Sequence, residues 1–222
     1  MHVFTQEVPK RVANVLLNRA VEDSADYAEL KMENALTFFD DSKTCITRYL
    51  AQNILPEGYV AEFGVWQGYS INLTAEALPN RQIFGFDSFL GLAEDWRGWE
   101  FSKGDFSLDG KLPEVASNVT LIEGYFQDSL TPWLEKNPGS FAYINIDCDT
   151  YESTSYVLKA IGPNRLVEGT LILFDEYFGY HNWRNHEFKA WQEFVAENRI
   201  EYEYLALSHL QVLVRVKTLN KV

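Results

Sequence analysis

The sequence predicts an α/β fold: a doubly wound, seven-stranded, mostly parallel sheet with an antiparallel closing strand, preceded by an N-terminal helical segment. Three observations point there. From Tyr59 onward, short apolar runs of strand length alternate with helix-like segments, the pattern of parallel strands joined by crossover helices. The last two apolar runs are separated by only a few residues around Ser208 and His209, which requires a hairpin and therefore one reversed strand. Before Tyr59, apolar residues recur at helical spacing instead.

Taken in order, the first 55 or so residues place Leu16, Ala20, Tyr27 and Leu30 among charged neighbours at roughly helical intervals, followed by Met32, Leu36, Phe38 and Phe39. Asp41 or Ser42 is suited to cap a further helix carrying Ile46, Leu50 and Ile54, stopped by Pro56 and Gly58. This segment is expected to form a lid over the site or a homodimer contact, with simple packing against the sheet as the alternative. Strands are expected at 59–65, 82–86, 119–123, 141–146, 170–174, 201–207 and 211–216, and helices at 70–78, 127–136, 151–161 and 185–198. The link from Leu90 to Asn118 is long and rich in Gly, Asp, Trp and Phe, as in loops that cover ligands.

A chain of 222 residues can bury one large core. Its net charge of −13 excludes an electrostatic grip on nucleic acid or an anionic membrane. No apolar run approaches the ~18 residues of a membrane span, and the first residues lack the apolar stretch of a secretory signal. Two widely separated cysteines, Cys45 and Cys148, make neither a disulfide framework nor a zinc site. These features point to the cytoplasm.

The run Tyr59-Val-Ala-Glu-Phe-Gly-Val-Trp-Gln-Gly-Tyr-Ser70 reads as strand, glycine turn and helix start. Ligands of doubly wound sheets bind beyond the carboxyl ends of such strands. Gly64 and Gly68 bracket the turn, Ser70 is placed to satisfy free N–H groups of the helix, and Asp87 ends the next strand, where an acid can hold a ribose. Dinucleotide binding needs three glycines, and here Trp66 and Tyr69 stand at the second and third positions. That bulk disfavours a pyrophosphate, and with it a nicotinamide-dependent oxidoreductase. A nucleoside without phosphates, S-adenosylmethionine (SAM), suits the turn better, and Glu62 is placed to favour its ammonium group.

Two further strand ends are acidic: Asp147-Cys-Asp149 after the fourth, and Asp175-Glu176 after the fifth. Parallel neighbours bring Asp147, Asp175 and Glu176 to one rim, where mutual repulsion calls for a cation, and all-oxygen ligation suits Mg²⁺. Such an ion can lower the pKa of a substrate hydroxyl; a metal-free acidic site is the alternative. Asp147, His181 and His186 are candidate bases. Asp149 is expected to cap the following helix.

As a set, these runs resemble the macrocin O-methyltransferase (TylF) family of class I SAM-dependent methyltransferases. The resemblance covers Glu62–Ser70, Gly85–Phe89, Gly91–Trp96, Lys103–Phe106, Gly110–Pro113, Asn118–Leu121, Gly124–Leu130, Asp147–Thr154 and Asp175–Tyr177. It implies a Rossmann-like fold, residues 56–222 as the methyltransferase domain behind a segment 1–55, and O-methylation of a small hydroxylated molecule, often a sugar of a natural product. It also implies Mg²⁺ on Asp147, Asp175 and Glu176, ribose on Asp87, and adenine near Phe126 and Asp128. Val65 and Ser88, within the same motifs, join the implied cofactor contacts. This chain carries Asp175-Glu176 where the family usually shows two aspartates, and its segment 178–186 is longer and more aromatic.

Overall fold

A computed structural model describes residues 11–39 and 42–219. In chain order the elements are α1 (Val12–Lys31), β1 (Leu36–Thr37), α2 (Ser42–Asn53), β2 (Tyr59–Phe63), α3 (Tyr69–Ala77), β3 (Ile83–Asp87), β4 (Val119–Glu123), α4 (Phe126–Lys136), β5 (Phe141–Ile146), α5 (Tyr151–Ile161), β6 (Leu171–Phe174), α6 (Glu187–Asn198), β7 (Ile200–Leu207) and β8 (Val212–Leu219). They form one sheet in the order β1-β7-β8-β6-β5-β2-β3-β4. β8 runs antiparallel to both β6 and β7, while every other pairing is parallel.

The sheet is buried on both faces because its central strands are apolar at successive positions. Ala61, Ile144 and Ile172 face a core shared with α4, α5 and α6. Val60, Tyr143 and Leu171 face the opposite core, into which α2 inserts Ile46 and Leu50 and α3 inserts Ile71 and Ala75. Strand order reverses at β2, which lies between β3 and β5. The carboxyl ends of β2 and β5 therefore form the crevice where such sheets bind ligands.

The sheet has eight strands where seven are expected. The extra one, β1, pairs Leu36 and Thr37 with Ala206 and Leu207; two residues are too short for a period-2 signal, and the partner lies far along the chain. The helical reading of Leu36 and Phe38 gives way for the same reason, since α1 stops at Lys31. The residues before Tyr59 are built into the common sheet and core, and Ser24 Oγ accepts a hydrogen bond from Gly179 N at 2.9 Å. The proposed cap Asp41 lies outside the described residues, as does the side chain of Ser42. Expected helix 185–198 begins instead at Glu187, after a short 3₁₀ turn over Trp183–Asn185.

Candidate active site

The glycine turn is shaped by what passes beneath it. Gly64 has φ +94°, and a Cβ there would fall 1.7 Å from the Asp147 carbonyl oxygen. Only glycine lets the end of β5 run so close to the end of β2. Gly68 caps α3 in the left-handed region, and Trp66 also has a positive φ of +46°. Asp87 holds this backbone: Oδ2 accepts from Val65 N and Trp66 N, each at 2.8 Å, and Oδ1 from Phe89 N at 2.7 Å.

Ser70 does not cap the helix. Its hydroxyl donates to Glu62 Oε1 at 2.8 Å, while Asn145 Nδ2 donates to Glu62 Oε2 at 3.0 Å. α3 starts one residue earlier, at Tyr69, with Gly68 at the N-cap, so Ser70 lies inside the first turn rather than at the capping position. Burial pushes the Glu62 carboxyl up to about 7, against the opposing pull of its two donors.

A cavity of about 550 Å³ opens at these strand ends. At one end it is lined by Gly64, Val65, Trp66, Ser70, Asp87, Ser88 and Phe126; at the other by Asp147, Asp149, Asp175 and Glu176. The link 90–118 walls it with Leu92, Trp96, Trp99, Phe101 and Phe106. Trp66 meets Phe106 edge-on at 5.5 Å, and Trp99 stacks on Tyr180 at 5.6 Å. Of the other residues singled out by the sequence, Glu62 sits behind the turn and Gly68 beside it. Asp128 stands exposed in the first turn of α4. None of these three lines the cavity.

The histidines are not brought to the acids. His181 is exposed beside α1 in a separate shallow pocket with Arg19 and Asp23. His186 is buried, with Nε2 2.5 Å from the Arg97 carbonyl oxygen. Burial lowers its pKa.

The three expected acids do converge. One ligand oxygen from each of Asp147, Asp175 and Glu176 lies within 4.8 Å of the others. Asp175 Oδ1 accepts from Gln211 Nε2 at 2.6 Å, and Oδ2 lies 3.0 Å from Lys43 Nζ. Glu176 Oε2 is buried with no partner. Burial, then Asp175, raises the carboxyls of Asp147 and Glu176 well above the usual range. For Lys43, burial works against the charge, but Asp147, Asp175 and Glu176 outweigh it and hold the amine protonated beyond its ordinary range.

Asp149 is not the cap of α5. Thr150 is, with its hydroxyl accepting from Ser153 N, while Asp149 takes φ +62° and lines the cavity. Burial, then Asp175, pushes its carboxyl up to about 8. Three supporting residues escape sequence reasoning. Lys43 arrives from α2, Gln211 from the β7–β8 turn, and Glu187 from the start of α6. Glu187 is fully buried and accepts from Cys148 N at 3.2 Å and Glu176 N at 3.1 Å, tying together the ends of β5 and β6. An acid in the first turn of a helix was its one visible signal, and that reads equally as dipole compensation.

A parallel sheet reversing at β2, closed by one antiparallel strand and opening a cavity at that reversal, defines the Rossmann-like class I methyltransferase fold. The methyltransferase-domain family model matches residues 61–177, just over half of the chain. The chain belongs to this family. It is 28% identical over 160 residues to the 8-demethyl-8-(2,3-dimethoxy-alpha-L-rhamnosyl)-tetracenomycin-C 4'-O-methyltransferase of Streptomyces olivaceus, a match covering 62% of this chain and 59% of that protein. The chain thus spans about three fifths of the length of that curated relative. Among solved structures it resembles the calicheamicin methyltransferase CalS11, with a TM-score of 0.66 and 22% identity over 91% of this chain and 89% of that one. An apo structure of CalS11, described as a TDP-rhamnose 3'-O-methyltransferase, gives a TM-score of 0.58 and 23% identity over 78% of each chain. These likenesses bear out the family resemblance at the level of the methyltransferase domain and its fold. Among the described residues, no helix is long and apolar enough to cross a membrane.

Proposed function

We propose that this chain is a SAM-dependent O-methyltransferase acting on a hydroxyl of a small molecule of sugar or natural-product type, assisted by Mg²⁺ or a similar hard divalent cation. One observation carries the reading: a single cavity joins the turn held by Asp87 to the acids at the ends of β5 and β6. The curated relative, named for methylating a 4'-oxygen of a rhamnosylated compound, supports the acceptor class.

In this reading Asp87, whose Oδ1 keeps one acceptor site beyond those used by the turn, takes a ribose hydroxyl, and Phe126 lies toward the adenine, with Asp128 just outside the cavity wall on the same side. Glu62 holds the turn from beneath and supplies negative potential near the ammonium group. Bound there, SAM would supply an electrophilic methyl group for the acceptor oxygen, its sulfonium leaving as a thioether, and the hydroxyl proton would pass to a base. Asp147 is the candidate for that base, since it lines the cavity and neither histidine does. Collinear alignment of oxygen, methyl and sulfur is the other contribution the walls can make.

The residues fit a hard cation: three carboxylate oxygens converge, and Glu176 Oε2 is a buried acceptor without a partner. Asp147, Asp175 and Glu176 would hold it, and the bound ion would supply Lewis-acid activation of the acceptor hydroxyl. A nicotinamide enzyme is disfavoured because Trp66 and Tyr69 stand where the dinucleotide motif needs glycines for a pyrophosphate to approach backbone. Calorimetry with SAM and its demethylated product tests the reading. Binding of both is expected, and binding of neither overturns it.

A further inference from the structure

We propose that Lys43 is a resident cation of the acid cluster, and that Lys43 and a divalent ion are alternative partners of Asp175. The inference rests on the reading of Asp147, Asp175 and Glu176 as a cation site, and concerns what controls that site's occupancy.

Lys43 is the one Lys or Arg among the described residues lining the cavity. Its Nζ lies 3.0 Å from Asp175 Oδ2, and that carboxylate is only 8% exposed. The Asp175 half of this ion pair is shielded from solvent while the Lys43 side chain is 32% exposed, and the ammonium faces two further carboxylates.

The placement is built, not accidental. Lys43 lies in the first turn of α2, whose Ile46 and Leu50, three and seven positions on, are both 0% exposed in the core. Thr47 Oγ1 donates back to the Lys43 carbonyl at 2.7 Å. The helix is thus anchored along one stripe, and its first turn delivers the ammonium to the cluster. Lys43 also lies outside the matched stretch 61–177, so the cation comes from a part of the chain that the family model does not cover.

With Gln211 on Oδ1, the Asp175 oxygen left for a metal is taken to be Oδ2, the one that Lys43 already holds. A hard divalent ion binds carboxylate oxygen at about 2.0–2.6 Å. The ammonium already stands beside Asp175 Oδ2, and like charges so close repel strongly in a site shielded from water. Gln211 Nε2 grips the other oxygen at 2.6 Å and keeps the carboxylate oriented whichever cation is present. The flexible four-carbon stem of Lys43 can swing toward the open cavity without moving α2. Lys43 therefore offsets part of the cluster's charge when no metal is bound and weakens metal binding by having to be displaced.

Mn²⁺ titration followed by electron paramagnetic resonance tests this on the full chain, comparing the parent with Lys43→Met, Lys43→Gln and Lys43→Arg. Lys43→Met and Lys43→Gln should bind Mn²⁺ about tenfold or more tightly than the parent, and Lys43→Arg should stay near it. Thermal unfolding should show the Met variant melting lower than the parent in EDTA and recovering with Mn²⁺. Lys43→Gln, which keeps a donor for Asp175, carries the test if the Met variant does not fold. Equal or weaker Mn²⁺ binding in the two uncharged variants overturns the proposal, as does absence of binding in every variant. SAM calorimetry on the same samples separates the two readings: a parent that binds no SAM while the uncharged variants gain Mn²⁺ affinity removes the methyltransferase activity and leaves the role of Lys43 standing.

Discussion

Asn145 Nδ2 donates to Glu62 Oε2 across 3.0 Å, between two residues that are direct partners in the parallel register of β2 and β5. The pair lies beneath the glycine turn at the reversal point of the sheet, and Glu62 is 1% exposed. Burial dominates its titration, pushing the carboxyl from 4.5 up to about 7. A carboxyl with a raised folded pKa adds stability that is fully present below the unfolded value and lost as pH rises through the folded one. Glu62→Gln should therefore be more stable than the parent at pH 8.5, by up to about 3 kcal/mol, and lose most of that advantage at pH 5. Urea unfolding at the two pH values checks this. An equal difference at both would show that Glu62 carries no raised pKa.

Asp87 accepts three backbone hydrogen bonds from Val65, Trp66 and Phe89. Because the site is partly open to water, Asp87→Ala should cost only about 1–3 kcal/mol of stability. Its effect on the cofactor should be larger, with SAM dissociation constants rising roughly tenfold or more as both the ribose acceptor and the turn geometry are lost. Calorimetry beside urea unfolding separates the two effects, and unchanged SAM affinity would remove Asp87 from the cofactor site.

Two glycines with nearly the same φ offer a controlled comparison. Gly64→Ala places a Cβ against the Asp147 carbonyl, whereas a Cβ on Gly104 meets nothing within 4 Å. Gly104→Ala should cost about 1–2 kcal/mol, the left-handed strain alone. Gly64→Ala should cost more than about 4 kcal/mol or prevent folding. Similar melting temperatures for the two variants would mean that β2 and β5 do not approach as closely as the structure shows.

Asp147→Asn should lower turnover by about 100-fold or more while leaving SAM affinity within a few fold of the parent, because the side chain faces the acid end of the cavity. Single-turnover methyl transfer with radiolabelled SAM measures the first effect and calorimetry the second. Full activity in this variant would exclude Asp147 as the base.

Exhaustive EDTA treatment should depress methyl transfer, with Mg²⁺ restoring it. Activity untouched by chelation would assign the acids and Lys43 a metal-free role. The assay needs an acceptor, and rhamnosylated aromatic compounds are the first class to try, given the curated relative.

The fold was legible wherever the signal was local. β4 and β5 fall at the residues their apolar runs mark, and the reversed strand followed from a connection too short for a crossover. Asp147, Asp175 and Glu176 were legible as a group for a topological reason: consecutive acidic strand ends in a parallel sheet share a rim. β1 was not legible, because two residues have no periodicity and its partner is about 170 positions away. His181 and His186 looked attractive by proximity to Asp175 in the chain, but the intervening segment turns them outward or under Arg97.

The sequence by itself determined the alternation of strands and helices, the glycine turn at Gly64 and the acids that end β3, β5 and β6. Each of these is a property of a few consecutive residues, set by backbone sterics, apolar spacing and the handedness of crossovers. Only the tertiary structure decided what surrounds those acids: Lys43 on one oxygen of Asp175, Gln211 on the other, and Glu187 beneath the strand ends. Those partners come from three separate elements, and no local pattern specifies which distant charge will arrive at a buried carboxylate. That choice is made when α2, α6 and the β7–β8 turn pack onto the finished sheet.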